Sequence, residues 1–339
     1  MTSSIPPQSV VAQPVVAQSV VAQSVPARVT LVVQPGRHRG RLAFYRQTAD
    51  AAFWDDLWDA QPVDYLRART GHLPLHLRRA VRRYLHPGGR VLEAGCGPGE
   101  FSVAMAVRGF TADAVDWAPR TVARLRAAAP QLRVWQGDVR ALEVPDGCYD
   151  AVYSPGVCEH FETGPGEVLR ETFRVLRPGG IALVSTPCFS PLLRALGRVA
   201  TSPVAAARPE AAPRSDGGGS SADIRPTSVD GAAERRSAGA PLWLPRPREG
   251  EFYQYAFTPA GLAAELRAVG FEAVRAHPYG ALATALEFTA AGRALAARVD
   301  RGRLRPVEAG LDLVGAPWLS GRACLWVARR PRPGAEPKA

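Results

Sequence analysis

The 339-residue chain is 46% hydrophobic and 22% charged, a globular composition with material for one large domain or two small ones. Its formal net charge of +11 comes mostly from arginines spread along the chain, so basicity alone does not establish a nucleic-acid partner. No run approaches the ~18–20 apolar residues of a membrane span, and the N-terminus lacks the basic segment and apolar core of a secretory signal.

Residues 8–24 read "QSVVAQPVVAQSVVAQS", a five-residue repeat that fits neither the helical nor the strand period. Residues 1–38 are therefore expected to be a disordered, low-complexity leader. Order is expected from about Phe44, with Phe53 close by and Trp54 and Trp58 four residues apart on one helical face. "LPLHLRRAVRRYL" predicts an amphipathic helix ending at "HPGG". Within it, "HLRRAVRR" reads as a solvated face or, alternatively, as a phosphate-binding patch.

Strands and helices then alternate. "RVLEAG" is a strand and Glu100 to Arg108 a helix; "TADAVD" is a strand and Pro119 to Ala129 a helix with proline at its start. "LRVWQGD" and "YDAVYS" are strands, "GEVLRETFRVLRPGG" a helix closed by Pro-Gly-Gly, and "IALVSTP" a strand. This order indicates a parallel sheet covered by helices on both faces. Residues 39–197 are read as the N-terminal helices and core, and 198–248, rich in Pro, Ala, Ser, Gly and Arg, as a flexible insertion. The same domain resumes over 249–330: a helix capped by Thr258 runs from Pro259 to Gly270, "FEAVRA" is a strand, and "GRACLWVARR" is the last, buried strand. Residues 331–339 form a tail.

The most informative stretch is "VLEAGCGPGE", Val91 to Glu100. Its glycines, Gly95, Gly97 and Gly99, follow Glu93 in an E-x-G-x-G-x-G spacing. The dinucleotide fingerprint G-x-G-x-x-G would need glycine where Glu100 stands, and a carboxylate at that helix start would repel a pyrophosphate. No G-K-[ST] follows, so a nucleotide P-loop is excluded.

Four further motifs follow in chain order: Asp116 in "DAVDWAP", then "QGDVRAL", "YDAVYSPGVCEHF" and "FRVLRPGGIALVSTP". Together with the glycine loop they resemble the class I S-adenosylmethionine-dependent methyltransferases of small-molecule type. The resemblance implies a doubly wound, seven-stranded Rossmann-like sheet with its last strand antiparallel, and S-adenosylmethionine as cofactor. It implies that Gly95, Cys96, Gly97 and Gly99 bring backbone to the methionine and sugar, with Glu93 near the methionine ammonium. It gives the ribose hydroxyls to Asp116 and the adenine amine to Asp138, with Trp117 and Val139 as walls for the base. Asp150 is read as structural.

Methyl transfer needs alignment and water exclusion, and a base only when the nucleophile arrives protonated. His160 in "CEHF" is the candidate base, against a packing role; Glu159 beside it is unassigned. The "SPGV" of Ser154 to Val157 stands where amino methylases that act on bases carry an Asn-Pro-Pro-aromatic stretch, which argues against a nucleic-acid amino methylase. The resemblance as a whole implies a small-molecule or lipid- or glycan-precursor acceptor, methylated at oxygen, with nucleic acid not expected. Two rival readings stay open: an RNA methyltransferase, and a non-catalytic S-adenosylmethionine-binding regulator. The five cysteines never form a C-x-x-C pair, and no Asp/His cluster has metal spacing. No metal or disulfide framework is therefore expected, and a reducing cytoplasm is.

Overall fold

The computed structural model describes residues 28–30, 41–46, 48–61, 63, 65–191, 251–282, 306–307, 310–311 and 315–334. Its strands are β1 (Arg28–Thr30), β2 (Arg41–Arg46), β3 (Arg90–Ala94), β4 (Thr111–Asp116), β5 (Arg133–Gln136), β6 (Tyr149–Pro155), β7 (Leu176–Pro187), β8 (Glu251–Phe257), β9 (Glu272–Tyr279) and β10 (Ala323–Arg329). The helices are α1 (Ala51–Ala60), α2 (Leu75–Tyr84), α3 (Glu100–Val107), α4 (Pro119–Ala128), α5 (Gly166–Val175), α6 (Pro259–Val269) and the short α7 (Ala316–Ser320).

Seven strands form one sheet in the order β5-β4-β3-β6-β7-β10-β9, with β10 antiparallel to both its neighbours. The parallel strands are near-continuous apolar runs because helices bury both faces: Leu92, Ala114 and Leu183 are wholly inaccessible. One face packs against α2, α3 and α4 through residues such as Leu77, Met105 and Leu125. The other carries α5 and α6 through Leu169 and Leu262. Trp326 of β10 is wholly buried and its indole N–H donates to the Pro259 carbonyl at 2.9 Å, tying the antiparallel strand to the start of α6. Trp326→Ala should cost about 3–5 kcal/mol in a urea melt, since it removes a large packed ring and leaves that carbonyl without its donor.

Three sequence expectations change. Phe44 and Tyr45 lie on a strand, not a helix: β2 pairs antiparallel with β8, and β1 fills the other edge of β2. Arg28–Thr30 therefore form a strand inside the stretch expected to be a structureless leader, because β2 offers them an open edge. Pro178, Gly179 and Gly180 do not merely close α5; they lie within the twelve-residue β7, beside a register shift against β6. The repeat at 8–24 and the segment 198–248 lie outside the described residues. Among the described residues, no helix is long and apolar enough to cross a membrane.

Candidate active site

Parallel strands end at one edge of the sheet, and there the loops after β3, β4, β5 and β6 surround a cavity of about 650 Å³. Its lining includes Gly95, Gly97, Asp116, Trp117, Gly137, Asp138, Val139 and Gly156. The opposite wall is built by Trp54 and Trp58 of α1, by Thr48 and Ala49 before it, and by His160, Phe161, Glu251 and Phe252. Seven residues named from the sequence thus meet in one cavity: Gly95, Gly97, Asp116, Trp117, Asp138, Val139 and His160. Glu93, Cys96 and Gly99 do not line it.

The glycine loop is shaped by space as much as by turn geometry. Gly95 and Gly97 hold φ of +76° and +48°, where L side chains are strained. A Cβ on Gly95 would come within 2.2 Å of Val157 Cγ2, and one on Gly97 within 2.9 Å of the Trp58 ring. Gly99 has a different job: it opens α3 in the left-handed conformation and a Cβ there would strike Leu125. The Gly95 and Cys96 N–H groups both donate to the Val115 carbonyl at 2.9 Å, and Tyr65 Oη donates to the Pro98 carbonyl at 2.6 Å. The loop is held before any ligand arrives.

Glu93 sits behind the loop. Its Oε2 accepts from the Ser102 N–H at 2.9 Å and the Ser102 hydroxyl at 2.7 Å, in the first turn of α3. Burial pushes its carboxyl up to about 8, and the two Ser102 bonds pull it partly back. Cys96 is a buried free thiol whose Sγ donates to the Gly97 carbonyl at 3.4 Å.

Asp116, the last residue of β4, is buried with both oxygens on backbone: Oδ2 accepts from Gly97 N at 2.7 Å and Oδ1 from Ala118 N at 3.0 Å. Its carboxyl is raised by burial, which outweighs the lowering by these bonds. Asp138 is half-exposed and clasped by Arg140, whose Nη2 lies 2.6 Å from Oδ2 and whose backbone N–H donates to Oδ1 at 2.8 Å. That hydrogen-bonded guanidinium holds the Asp138 carboxyl below its ordinary value. The same guanidinium carbon stands 4.9 Å from the Phe161 ring centre, so Arg140 joins the β5 loop to the far wall. Sequence reading missed Arg140, although the i+2 spacing in "QGDVRAL" offers the pair directly.

Another residue missed is Asp55. Buried on α1, it accepts from the N–H and hydroxyl of Thr121 at 2.8 Å each and so caps the start of α4 from a neighbouring helix. Arg120 and Arg124 of α4 add ion pairs to Asp56 and Asp59 of α1. Fastened this way, α1 brings Trp54 and Trp58, stacked at 6.5 Å, over the glycine loop. Both rings pack with Ala118 and both line the cavity. On β8, Tyr255 and Phe257 belong to the core, while Phe252 reaches the cavity.

His160 ends a short 3-10 turn, Cys158–His160, after β6. Its Nδ1 is 2.8 Å from the Tyr253 carbonyl, which can only accept, so Nδ1 carries the proton. Its buried Nε2 has no hydrogen-bond partner among the described residues, and the ring is wedged edge-on against Trp54 and Tyr253. Burial lowers its pKa to about 4. Neighbouring Glu159 is 1% exposed, its Oε2 also has no hydrogen-bond partner among the described residues, and burial pushes it up to about 8.

A folded-state value above the unfolded one means the folded chain binds the extra proton. Stability from Glu159 is therefore complete below its unfolded value of ~4.3 and lost as pH rises through about 8. Glu159→Gln should make the melting temperature fall less steeply than in the unsubstituted protein between about pH 5 and pH 8. An unchanged slope would show that Glu159 does not titrate in this range.

The comparisons agree with this geometry. Residues 65–276 match the family model described as "Methyltransferase domain". A probable S-adenosylmethionine-dependent methyltransferase of Mycolicibacterium smegmatis is 40% identical over 107 residues, covering 31% of this chain and 41% of that protein. A malonyl-[acyl-carrier protein] O-methyltransferase of Serratia marcescens is 41% identical over 103 residues, covering 30% and 39%. A ubiquinone biosynthesis O-methyltransferase of Xanthomonas campestris pv. campestris is 34% identical over 169 residues, covering 47% and 68%. The chain thus spans about two fifths of the length of the first two relatives. With a glycine loop, an acid ending β4 and a seven-stranded sheet carrying one antiparallel strand, the chain belongs to the class I S-adenosylmethionine-dependent methyltransferases.

Proposed function

We propose that the protein transfers a methyl group from S-adenosylmethionine to a hydroxyl oxygen of a small-molecule acceptor, with His160 as general base. The observation that carries this reading is the state of His160: protonated on Nδ1 by its bond to the Tyr253 carbonyl, with a partnerless Nε2, in the cavity wall.

The residues present fit the cofactor. Gly95 and Gly97 leave a cradle that any Cβ would fill. Asp116 has spent one lone pair of each oxygen on backbone, which leaves one on each for a ribose hydroxyl. Asp138, steadied by Arg140, accepts from the adenine amine between Trp117 and Val139. Glu93 serves the site through the loop, by fixing the start of α3. When bound, S-adenosylmethionine supplies an electrophilic methyl on a positively charged sulfur. Trp54, Trp58 and Phe161 exclude water from that methyl, and His160 Nε2 takes the hydroxyl proton as the oxygen attacks. With the cofactor bound, a proton taken up by His160 would bring a positive charge to the cavity wall as methyl transfer removed the one the cofactor carried, so the cavity's net charge would be unchanged. That exchange lets a buried imidazole with a low pKa act as base.

Two relatives carry the name O-methyltransferase, which supports oxygen as the acceptor atom. Five unpaired cysteines support a reducing, cytoplasmic setting. The test is incubation with methyl-labelled S-adenosylmethionine and fractionated cell extract. Label is expected in a low-molecular-weight product that resists the amine-selective reagents an N-methyl product would meet. Label in RNA, or none despite tight cofactor binding, would favour the RNA-methylating or non-catalytic reading instead.

A further inference from the structure

The arginines of α2 play no part in the cavity. Arg78, Arg79, Arg82 and Arg83 are all exposed, and none forms an ion pair among the described residues. They contrast with Arg90, Arg120, Arg124, Arg140 and Arg174, each set against a carboxylate. Leu77, Ala80 and Val81 anchor the opposite side of α2 in the core, so the four guanidinium groups share the outward arc of a fixed helix. Arg275 of β9 is exposed too and, with Arg83, lies near His277, which extends the basic surface onto the sheet edge.

A second feature adjoins it. The His76 ring on α2 stacks on Tyr279, the last residue of β9, at 3.9 Å and 10°. α7 packs on β9 at this end, and the glycine that closes it, Gly321, sits against the Tyr279 carbonyl. On α7, Trp318 is 54% exposed and Leu319 60%, two large apolar side chains side by side in solvent. Since β9 runs parallel to β7, Tyr279 and α7 lie at the edge of the sheet that carries the cavity.

We propose that this surface docks the protein on an anionic lipid bilayer. The arginines of α2 and Arg275 meet the lipid phosphates, and Trp318 and Leu319 enter the headgroup–acyl boundary. Charge complementarity selects an anionic partner, and the adjoining Trp-Leu pair selects a lipid surface over nucleic acid. An exposed leucine has nothing to gain from a phosphate backbone but is driven into an interface, where tryptophan also concentrates. Clustered basic residues are the usual signature of attraction to acidic leaflets.

The test is flotation of the full-length protein with vesicles of phosphatidylglycerol and phosphatidylcholine, against phosphatidylcholine alone. Binding is expected only with the anionic lipid and should weaken with salt. Replacing Arg78, Arg79, Arg82 and Arg83 by Gln should weaken it by about 600-fold, from roughly a fivefold loss per arginine. Trp318→Phe should retain flotation but lose most of the tryptophan quenching by brominated acyl chains, and Trp318→Ser with Leu319→Ser should float poorly. These two variants decide the matter even if the four-arginine variant does not fold, and S-adenosylmethionine binding should survive in all of them. Equal binding to neutral vesicles would overturn the proposal. So would no vesicle binding, or salt-sensitive RNA binding that the arginine variant loses while vesicle binding stays absent.

Discussion

Asp116→Ala should weaken S-adenosylmethionine binding by about 10²–10³-fold in isothermal titration calorimetry, with the fold retained. The carboxylate does two things at once. It accepts from Gly97 N and Ala118 N, and so sets the loop and the start of α4 in register with the end of β4. On the reading proposed above, it also receives the ribose hydroxyls. Hydrogen bonds to a charged group are worth about 1.5–3 kcal/mol each, and alanine leaves the Gly97 and Ala118 donors orphaned in a buried place. Asp116→Asn, which keeps one acceptor oxygen, should fall between the two. A dissociation constant for the alanine variant close to that of the unsubstituted protein would remove Asp116 from the cofactor site.

His160→Gln should lower the methyl-transfer rate by about 10²–10⁴-fold, the usual worth of a general base, while leaving cofactor affinity unchanged. Base catalysis needs the neutral ring, and burial holds the His160 pKa down to about 4. The ring is therefore neutral across the whole near-neutral range, and rate should be lost only as pH falls through about 4, not near the ordinary histidine value of ~6.5. Folding carries the same sign: the unfolded chain takes up a proton first, so His160 withdraws stability as the solution is acidified. A small loss in rate together with a lowered melting temperature would make His160 a packing residue between Trp54 and Tyr253.

The parts of the fold that were legible in the sequence are those whose chemistry is local. The strand-to-loop passage at Val91–Glu100 shows its glycines directly, and Thr258 announces α6, where it accepts from Gly261 N at 3.0 Å. Asp116 ends β4 and Asp138 follows β5 by two residues, each inside a short contiguous motif. What was not legible depends on partners distant in sequence. Phe44 and Tyr45 carry no helical or strand period of their own, and become a strand only because β8, some two hundred residues later, pairs with them. Asp55 looks like any acid on an amphipathic helix until Thr121 arrives beneath it. Nor could spacing show that Glu93 turns toward Ser102 rather than into the cavity. That choice is made by the first turn of α3, whose N–H groups need an acceptor.

The fastening of α1 to α4 has a kinetic consequence. One helix provides the roof over the glycine loop, through Trp58, and part of the wall facing His160, through Trp54. On the proposed reading, cofactor and acceptor share that helix, so a displacement of α1 that frees one of them would disturb the other. Turnover should follow a compulsory order in which the nucleoside is first to enter and last to leave. Product-inhibition analysis would reveal this as S-adenosylhomocysteine competing with S-adenosylmethionine but not with the acceptor; a random-order pattern would mean that the two halves of the cavity open separately.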